Sequence, residues 1–447
     1  MDRKFTNIPE LWGGIECSFN RVNNRYFDQL QYAGHYNRIE SDIEAFASTS
    51  VRAMRYPVIW ERLQPSLNTS ISWQQTAIAL NALRRRKINP IAGLVHHGSG
   101  PRYAEVRNET FPLRLASFAK MFAAEFPWVE YYTPVNEPLT TARFSGLYGL
   151  WFPHKRNDSA FVKILLNELK GVVLAMKAIR QINPDAKLIQ TEDLAKIYST
   201  PLMKYQADFE NERRWLTFDI LCGKLKPGHA LWWYFTKYAT TENDLFFFVD
   251  NPCSPDIIGL DYYPTSERYL DENIDKYPPE RHGHNHRHRY ADVEALRVKH
   301  DFDSGAFVLI KEVWDRYHLP IAITEVHINC DHENQIRWFA EIRNTCRQLM
   351  ALGVDIRAIT AWAMMGSFGW NRLLTVDGGD YEAGAFGLRD GELVATPLAS
   401  YLRQLSQDPE FIHPAEQYPG WWKQPSRLIF ETKLEANPVL LNEHCIE

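Results

Sequence analysis

The sequence predicts a single (β/α)8 barrel with long loops after its strands and a C-terminal extension. Three observations carry that expectation. Eight short β-branched or apolar runs alternate with amphipathic stretches, a repetition that pairs strands in parallel through right-handed crossovers. No G-x-G-x-x-G or G-x-x-x-x-G-K-[ST] turn occurs, so the rival open doubly wound sheet lacks its usual phosphate turn. No low-complexity linker divides the 447 residues, and barrels of this class commonly exceed the length of an average domain.

The strands are expected at 11–17, 51–56, 90–95, 130–135, 186–191, 257–262, 320–324 and 358–364. Helical patterns lie between them, among them 76–86, 113–125, 161–182, 306–317 and 333–352. The helix at 161–182 is the clearest. Ile164, Leu165, Leu169, Val172, Val173, Met176 and Ile179 recur at helical spacing, Asp158 or Ser159 is placed to cap the start, and Pro184 lies just past the end. The barrel is assigned to 1–405, and 406–447 is an extension expected to pack on it.

Composition narrows the function. Lys and Arg number 50 against 55 Asp and Glu, a net charge of −5, so no basic excess exists to neutralise nucleic-acid phosphates or an anionic membrane. With 45% hydrophobic and 23% charged residues, the chain is expected to fold rather than remain disordered. The longest apolar run, 245–249, is far short of the ~20 residues that span a bilayer, and no apolar stretch follows Met1 to mark a signal peptide. Six Cys without a CxxC pair fit reduced thiols in a cytoplasmic protein. Aromatic residues reach 13%, with 14 Trp, which suits either a large core or surfaces that stack on sugars.

In such a barrel the chemistry gathers where strands end. Strand one is followed by Asn20 and Arg21. Strand two carries Arg55 and runs to Trp60-Glu61-Arg62. Strand three ends in His96-His97, strand four in Asn136-Glu137-Pro138, and strand five in Glu192-Asp193. Strand six ends in Asp261-Tyr262-Tyr263, strand seven in Glu325 with His327 behind it, and strand eight in Trp362 leading to Trp370. Two carboxylates at strand ends, Glu137 and Glu325, suit cleavage of a glycosidic bond, one protonating the leaving oxygen and the other attacking the anomeric carbon. Arg55 is expected to keep Glu325 ionised, and Glu137 to be held protonated by burial and by the charge of Glu325.

These residues resemble glycoside hydrolase family 1, the retaining β-glycosidases. Leu11-Trp12-Gly13-Gly14 is similar to the family's opening FxWG. The run from Arg55 to Pro65 is similar to RFSxxWxRxxP, and Pro90 to His96 to the PxVTLxH strand. Thr133-Pro134-Val135-Asn136-Glu137-Pro138 is similar to TxNEP, Ile258-Gly259-Leu260-Asp261-Tyr262-Tyr263 to GLNYY, and Ile323-Thr324-Glu325 to the ITE of ITENG. Each tripeptide alone is weak, but the ordered set over about 11–405 is specific. The resemblance implies that Glu137 is the acid/base and Glu325 the nucleophile. It implies that Asn136 contacts the sugar 2-OH, that Arg55 and Tyr263 hold the nucleophile, and that His96 contacts a hydroxyl. Trp362 would floor the pocket and Trp370 would contact the sugar. Asp261 and His327 would support the site. No metal or organic cofactor is implied, and the expected partner is a glycoside or small oligosaccharide.

Several positions depart from the family pattern. Asn20 aligns with a glutamine that grips two hydroxyls, His97 with an aromatic residue, and Val326-His327 with Asn-Gly. Gly369 aligns with a glutamate that accepts hydrogen bonds from O4 and O6 of glucose or galactose. Loss of such an acceptor shifts specificity steeply, so a glycone other than glucose or galactose is expected: 6-deoxy, bulkier or anionic. Arg372 is placed to meet an anion but reads better as a solvated loop charge. A non-hydrolytic carbohydrate-binding barrel and a transglycosylase remain the alternatives.

Other features read more plainly. The tract Arg281-His282-Gly283-His284-Asn285-His286-Arg287-His288 contains no carboxylate or Cys, so it reads as a substrate-lining loop or solvated turn rather than a metal site. Tyr269, Tyr277 and Tyr290 of the same long loop are candidates for an aglycone wall. Glu192-Asp193 either adds a pocket acceptor or pairs with rim cations. Trp60 reads as a buried support of the site, and Trp232-Trp233-Tyr234 as helix packing.

Overall fold

The computed structural model describes residues 8–239 and 241–430. Eight parallel strands close into a barrel: β1 (Glu10–Gly14), β2 (Ala53–Pro57), β3 (Asn89–His96), β4 (Tyr131–Asn136), β5 (Lys187–Glu192), β6 (Ile257–Asp261), β7 (Ile321–Val326) and β8 (Ile356–Ala361). Closure is made by β1, which pairs with β8 through Trp12 and Thr360 and with β2 through Trp12 and Ala53. All eight expected strands are present, each shifted by a few residues at its ends.

The outer layer contains α1 (Ile39–Ala47), α2 (Gln74–Arg85), α3 (Phe111–Glu125) and α4 (Asp158–Arg180). The β5–β6 connection holds α5 (Lys204–Arg213), α6 (Leu216–Leu221), α7 (Trp232–Tyr238) and α8 (Glu242–Asp250). Then follow α9 (Ala306–Tyr317), α10 (His332–Ala351) and α11 (Pro397–Gln407). The start of α4 differs from expectation. Asn157, in extended backbone, caps it by accepting from Ala160 N–H at 2.9 Å, so Asp158 is already inside the helix.

Two apolar regions build the molecule. The larger lies between strands and helices. The smaller fills the bottom of the barrel with one residue from each strand: Trp12, Ala53, Ile91, Tyr131, Ile189, Ile257, Ala322 and Ala358. Because strand side chains alternate, this layer also fixes which residues point inward nearer the C-terminal mouth.

The loop after β6, expected to be irregular, contributes to a four-stranded sheet. Arg268–Asp271 pairs in parallel with Ile197–Ser199 and antiparallel with Arg289–Glu294, which pairs with His282–His284. The described part of the tail packs on α10. Trp422 meets Trp338 edge-on at 5.3 Å and donates its indole N–H to Glu341 at 2.9 Å, while Arg337 Nε donates to Ala415 O at 2.9 Å. The remainder of the assigned extension, 431–447 with Cys445, lies outside the described residues. Among the described residues no helix is long and apolar enough to cross a membrane.

Candidate active site

Two residues above the bottom layer, the strands place Gly14, Arg55, Gly93, Thr133, Thr191, Gly259, Thr324 and Thr360. All but Arg55 are small. Gly14 is required here, because a Cβ on it would stand 2.3 Å from the Trp362 ring. Arg55 reaches across this space. Its Nη1 donates to Thr324 O at 2.8 Å and to Glu325 Oε1 at 2.9 Å, and its Nη2 donates to Asn136 Oδ1. Asp261 Oδ1 lies 3.6 Å from the same guanidinium. Burial works against this charge, but Asp261 and Glu325 more than offset it and raise the Arg55 pKa. A buried ion pair holds only when its other polar atoms are satisfied. Here Tyr263 Oη donates to Glu325 Oε2 at 2.6 Å, Thr324 Oγ1 to Asp261 Oδ1 at 2.7 Å, and Thr191 Oγ1 to Asn136 Oδ1 at 2.8 Å. The β6–β7 register shifts between Ile323 and Glu325, a local irregularity of the kind that re-aims a side chain at a barrel rim.

Glu137 follows β4 directly with φ +43°, in the left-handed region that non-glycine residues rarely occupy. Glu192, at the end of β5, holds this turn from behind. It accepts Leu139 N–H at 2.8 Å, Thr140 N–H at 3.2 Å and Thr217 Oγ1 at 2.6 Å, fixing the start of the short helix Pro138–Ala142. It therefore acts as a backbone anchor rather than a pocket acceptor, and burial raises its pKa to about 7. His97, also left-handed at φ +52°, brings Nε2 to 3.4 Å from Glu137 Oε2. Burial pushes His97 down to about 3 and His96 well below its ordinary value, so both are neutral and His97 adds no positive charge beside Glu137.

The carboxyls divide accordingly. Glu137 is pushed well up by burial and then by Asp261, Glu325, Glu192 and Asp193. Glu325 is pushed up by burial and Asp261, but Arg55 and Tyr263 pull it back. The expectation that Arg55 alone would keep Glu325 low is thus corrected, because burial of three carboxyls around one guanidinium outweighs a single ion pair. The largest charges acting on Glu137 are carboxylates, which favours its protonated form, whereas Arg55 and Tyr263 favour the charged form of Glu325. Glu137 and Glu325 keep 6% and 5% of their surface while Asp261 keeps 0%, so the first two reach the cavity and Asp261 stands behind them.

The aromatic wall stands opposite. Trp362, joined to Ala363 by a cis peptide, stacks at 5.6 Å and 9° on His96 and lies 4.4 Å from the Arg55 guanidinium carbon. His96 Nε2 is 3.2 Å from Asn136 Nδ2. His97 meets Trp370 edge-on at 5.5 Å. The sequence pattern of Glycosyl hydrolase family 1 matches residues 18–376. The chain belongs to glycosyl hydrolase family 1. It is a glycoside hydrolase, and its likeness to β-glucosidases is distant. Beta-glucosidase A of Thermotoga maritima is 24% identical over 370 residues, covering 75% of this chain and 78% of that protein. The solved structure of the family 1 β-glucosidase from Thermotoga maritima aligns with a TM-score of 0.71 at 16% identity, covering 91% of this chain and 99% of the other. The same holds for the Thermotoga maritima β-glucosidase in complex with deoxynojirimycin, again at TM-score 0.71 and 16% identity over 91% and 99%.

Against the family pattern, the structure gathers Arg55, His96, His97, Asn136, Glu137, Asp261, Tyr263, Glu325, Trp362 and Trp370 in one place. Asn20 is fully buried and its Nδ2 donates to Leu374 O at 3.0 Å, tying the β1 segment to the loop after β8. His327 turns to Glu382, with Nε2 3.0 Å from Oε2. Trp60 is wholly core, packed on Phe111 and Phe118 with its indole donating to Tyr103 Oη at 3.1 Å. Tyr277 donates to Asp271 at 2.9 Å, Tyr269 stacks on Phe302, and Tyr290 lies in the small sheet. Within the His tract, His282 faces the carbonyls of Ile274 and Tyr277 and His288 faces Tyr205. Among the described residues no three His, Cys, Asp or Glu side chains are grouped to hold a metal ion.

Two site residues escaped the sequence reading. Trp151 packs 5.1 Å from His97 and 6.4 Å from Trp370, and its indole donates to Leu373 O at 2.8 Å. It lies in a loop far from any strand end, and nothing in the sequence marked it. Glu16 is nearly buried at 3% exposure and accepts the Trp370 indole N–H at 3.0 Å. A signal for it existed: counting inward positions by two from Trp12 gives Gly14 and then Glu16.

Proposed function

We propose that this chain is a retaining β-glycosidase working by double displacement, with Glu325 as nucleophile and Glu137 as acid/base. The observation that carries this reading is the unequal pairing of the two carboxyls. Glu325 has Arg55 at 2.9 Å and Tyr263 at 2.6 Å, whereas the largest charges acting on Glu137 are carboxylates. One group is therefore poised to attack as a carboxylate and the other to deliver a proton, the division that glycoside cleavage needs.

Glu325 attacks the anomeric carbon as Glu137 protonates the departing oxygen, giving a glycosyl-enzyme. Glu137, now a carboxylate, takes a proton from water, and the resulting hydroxide displaces the sugar from Glu325. Arg55, bonded at once to Glu325, Asn136 and the Thr324 carbonyl, sets the angle of attack. Asn136 directs its amide toward the sugar 2-OH, and Trp362 floors the ring. His96 and Trp370 line the glycone side.

The test is a panel of aryl β-glycosides, with product configuration followed by NMR from the first minutes. Retention of configuration, together with loss of at least about 10⁴-fold in kcat for Glu325→Ala, is the expected result. Inversion, or turnover that survives the substitution, would overturn the assignment. A panel bound but never cleaved would favour a binding protein.

A further inference from the structure

The site contains a carboxylate that the double displacement does not use and that lies outside the hydrogen-bonded cluster around Arg55. Glu16 continues the inward face of β1: Trp12 lies in the bottom layer, Gly14 beneath Trp362, and Glu16 at the mouth. Its Oε1 accepts Ser18 N–H at 2.8 Å and its Oε2 accepts the Trp370 indole at 3.0 Å. His96 Nε2 stands 4.0 Å from Oε1 and 3.2 Å from Asn136 Nδ2, so His96 separates Glu16 from the bond-breaking end of the pocket. Burial raises the Glu16 pKa, the hydrogen bonds from Ser18 and Trp370 restrain it, and Arg55 acts only from a distance.

A carboxylate has about four acceptor positions, and these two donors occupy two. The carboxyl stands beside two residues of the aromatic wall, Trp370 in hydrogen-bond contact and His96 at 4.0 Å. A buried carboxylate without a contacting cation is costly unless hydrogen-bonded, and two hydroxyls supplied by a bound ring would complete its shell. In the loop after β8, the position where the family pattern has an acceptor is Gly369. Gly369 has no side chain, and Arg372 is exposed.

Resting on the glycosidase reading above, we propose that Glu16 is the specificity-determining residue of the glycone pocket. It accepts hydrogen bonds from two adjacent hydroxyls of a neutral pyranoside, on the ring edge away from the scissile bond. The same negative charge rejects uronic and phosphorylated glycones. The anionic glycone suggested by the sequence departures is therefore disfavoured, and the acceptor missing at Gly369 is supplied from β1.

The experiment couples Glu16 to individual sugar hydroxyls. The wild type, Glu16→Gln and Glu16→Ala are compared on p-nitrophenyl β-glucoside, β-galactoside and β-mannoside. The best of these is then tested as its 3-, 4- and 6-deoxy derivatives, alongside the glucuronide and galacturonide. In the wild type, removing a hydroxyl that faces Glu16 is expected to lower kcat/KM by about 10- to 100-fold, the range for a hydrogen bond to a charged group. Glu16→Ala is expected to lose a similar factor on the parent sugar and then to ignore that same deoxygenation. Glu16→Gln should narrow the gap between neutral and uronic substrates. Equal deoxy penalties in all three proteins would overturn the proposal, as would wild-type preference for a uronide. Calorimetric binding of the corresponding inert aryl thioglycosides reads Glu16 without catalysis. Absence of turnover with hydroxyl-specific, Glu16-dependent binding defeats the glycosidase reading alone. Turnover without that dependence defeats the Glu16 proposal alone.

Discussion

The two halves of the pocket are built by different means. The half at β2, β4, β6 and β7 is held by groups that brace one another across the barrel. Arg55 ties Glu325, Asn136 and a β7 carbonyl together, and Tyr263 and Thr191 donate to Glu325 and Asn136. The half at β1 and β8 depends on one short loop. Trp370 is fixed by Glu16, Asn20 reaches the Leu374 carbonyl, and Trp151 reaches the Leu373 carbonyl. The contrast teaches that the bond-breaking end is over-determined by strands, while the recognition end can be rebuilt by altering a few residues after strand eight and at the end of strand one. Two of the sequence departures, Asn20 and Gly369, fall on the second half.

The largest effect expected comes from unbracing the first half. Arg55→Lys keeps a positive charge but offers one point donor in place of a planar fork, so it cannot serve Thr324 O, Glu325 and Asn136 together. A loss of about 10²–10³ in kcat is expected, the range for removing a preorganised electrostatic contact, with a smaller change in KM. Steady-state kinetics on the best aryl glycoside checks this, and a variant within a few-fold of the parent would show that the fork is not what organises the site.

The second half predicts a smaller and mainly structural effect. Gly369 has φ +73°, and a Cβ there would lie 2.9 Å from Gly378 O. Gly369→Glu therefore places a side chain on left-handed backbone against a carbonyl, at a cost of about 1–3 kcal/mol. A lower Tm and weaker binding are expected, with no gain on glucosides. If the variant were as stable as the parent and faster on glucosides, the acceptor would simply have been missing, and Glu16 would not be replacing it.

The strand and helix order was legible because hydrophobic runs alternate cleanly with amphipathic ones, and strand ends can be read one at a time. Arg55, Asn136, Glu137, Tyr263 and Glu325 were found in this way, each at or just past the end of a strand. What was not legible was set by distance and phase. Trp151 enters from a loop that only the fold brings to His97. Glu16 was passed over inside the expected 11–17 strand, although the period of two from Trp12 points it inward. Asn20 aligned with a substrate-binding position, yet its amide is turned to a loop carbonyl, a choice of partner that sequence does not reveal. The four-stranded sheet after β6 was unreadable because two of its strands are only three residues long and one of these, Ile197–Ser199, comes from the distant β5–β6 connection.

The subtlest prediction concerns Asp261, which stands where the family pattern quoted above has asparagine. Three buried carboxyls, Glu137, Asp261 and Glu325, face one guanidinium. Burial raises Asp261 to about 6, and its charge is the largest charge contribution raising both Glu137 and Glu325. Asp261→Asn removes that charge while preserving shape and the hydrogen bond from Thr324. The Glu137 pKa should then fall, so the proton for the leaving group is lost at lower pH and the alkaline limb of kcat/KM moves down. The Glu325 pKa falls with it, which moves the acid limb the same way, and the whole bell shifts toward acid because the limbs belong to the coupled set. Stability should change with the opposite emphasis. A carboxyl whose folded pKa lies above its ordinary value of 3.8 stabilises the fold most at low pH, and that contribution fades as pH rises through about 6. The asparagine variant lacks this fade, so its Tm should fall less than the parent's between pH 4 and about pH 7. A bell that stays in place would mean that Asp261 is already protonated throughout the working range and exerts no charge on the two glutamates.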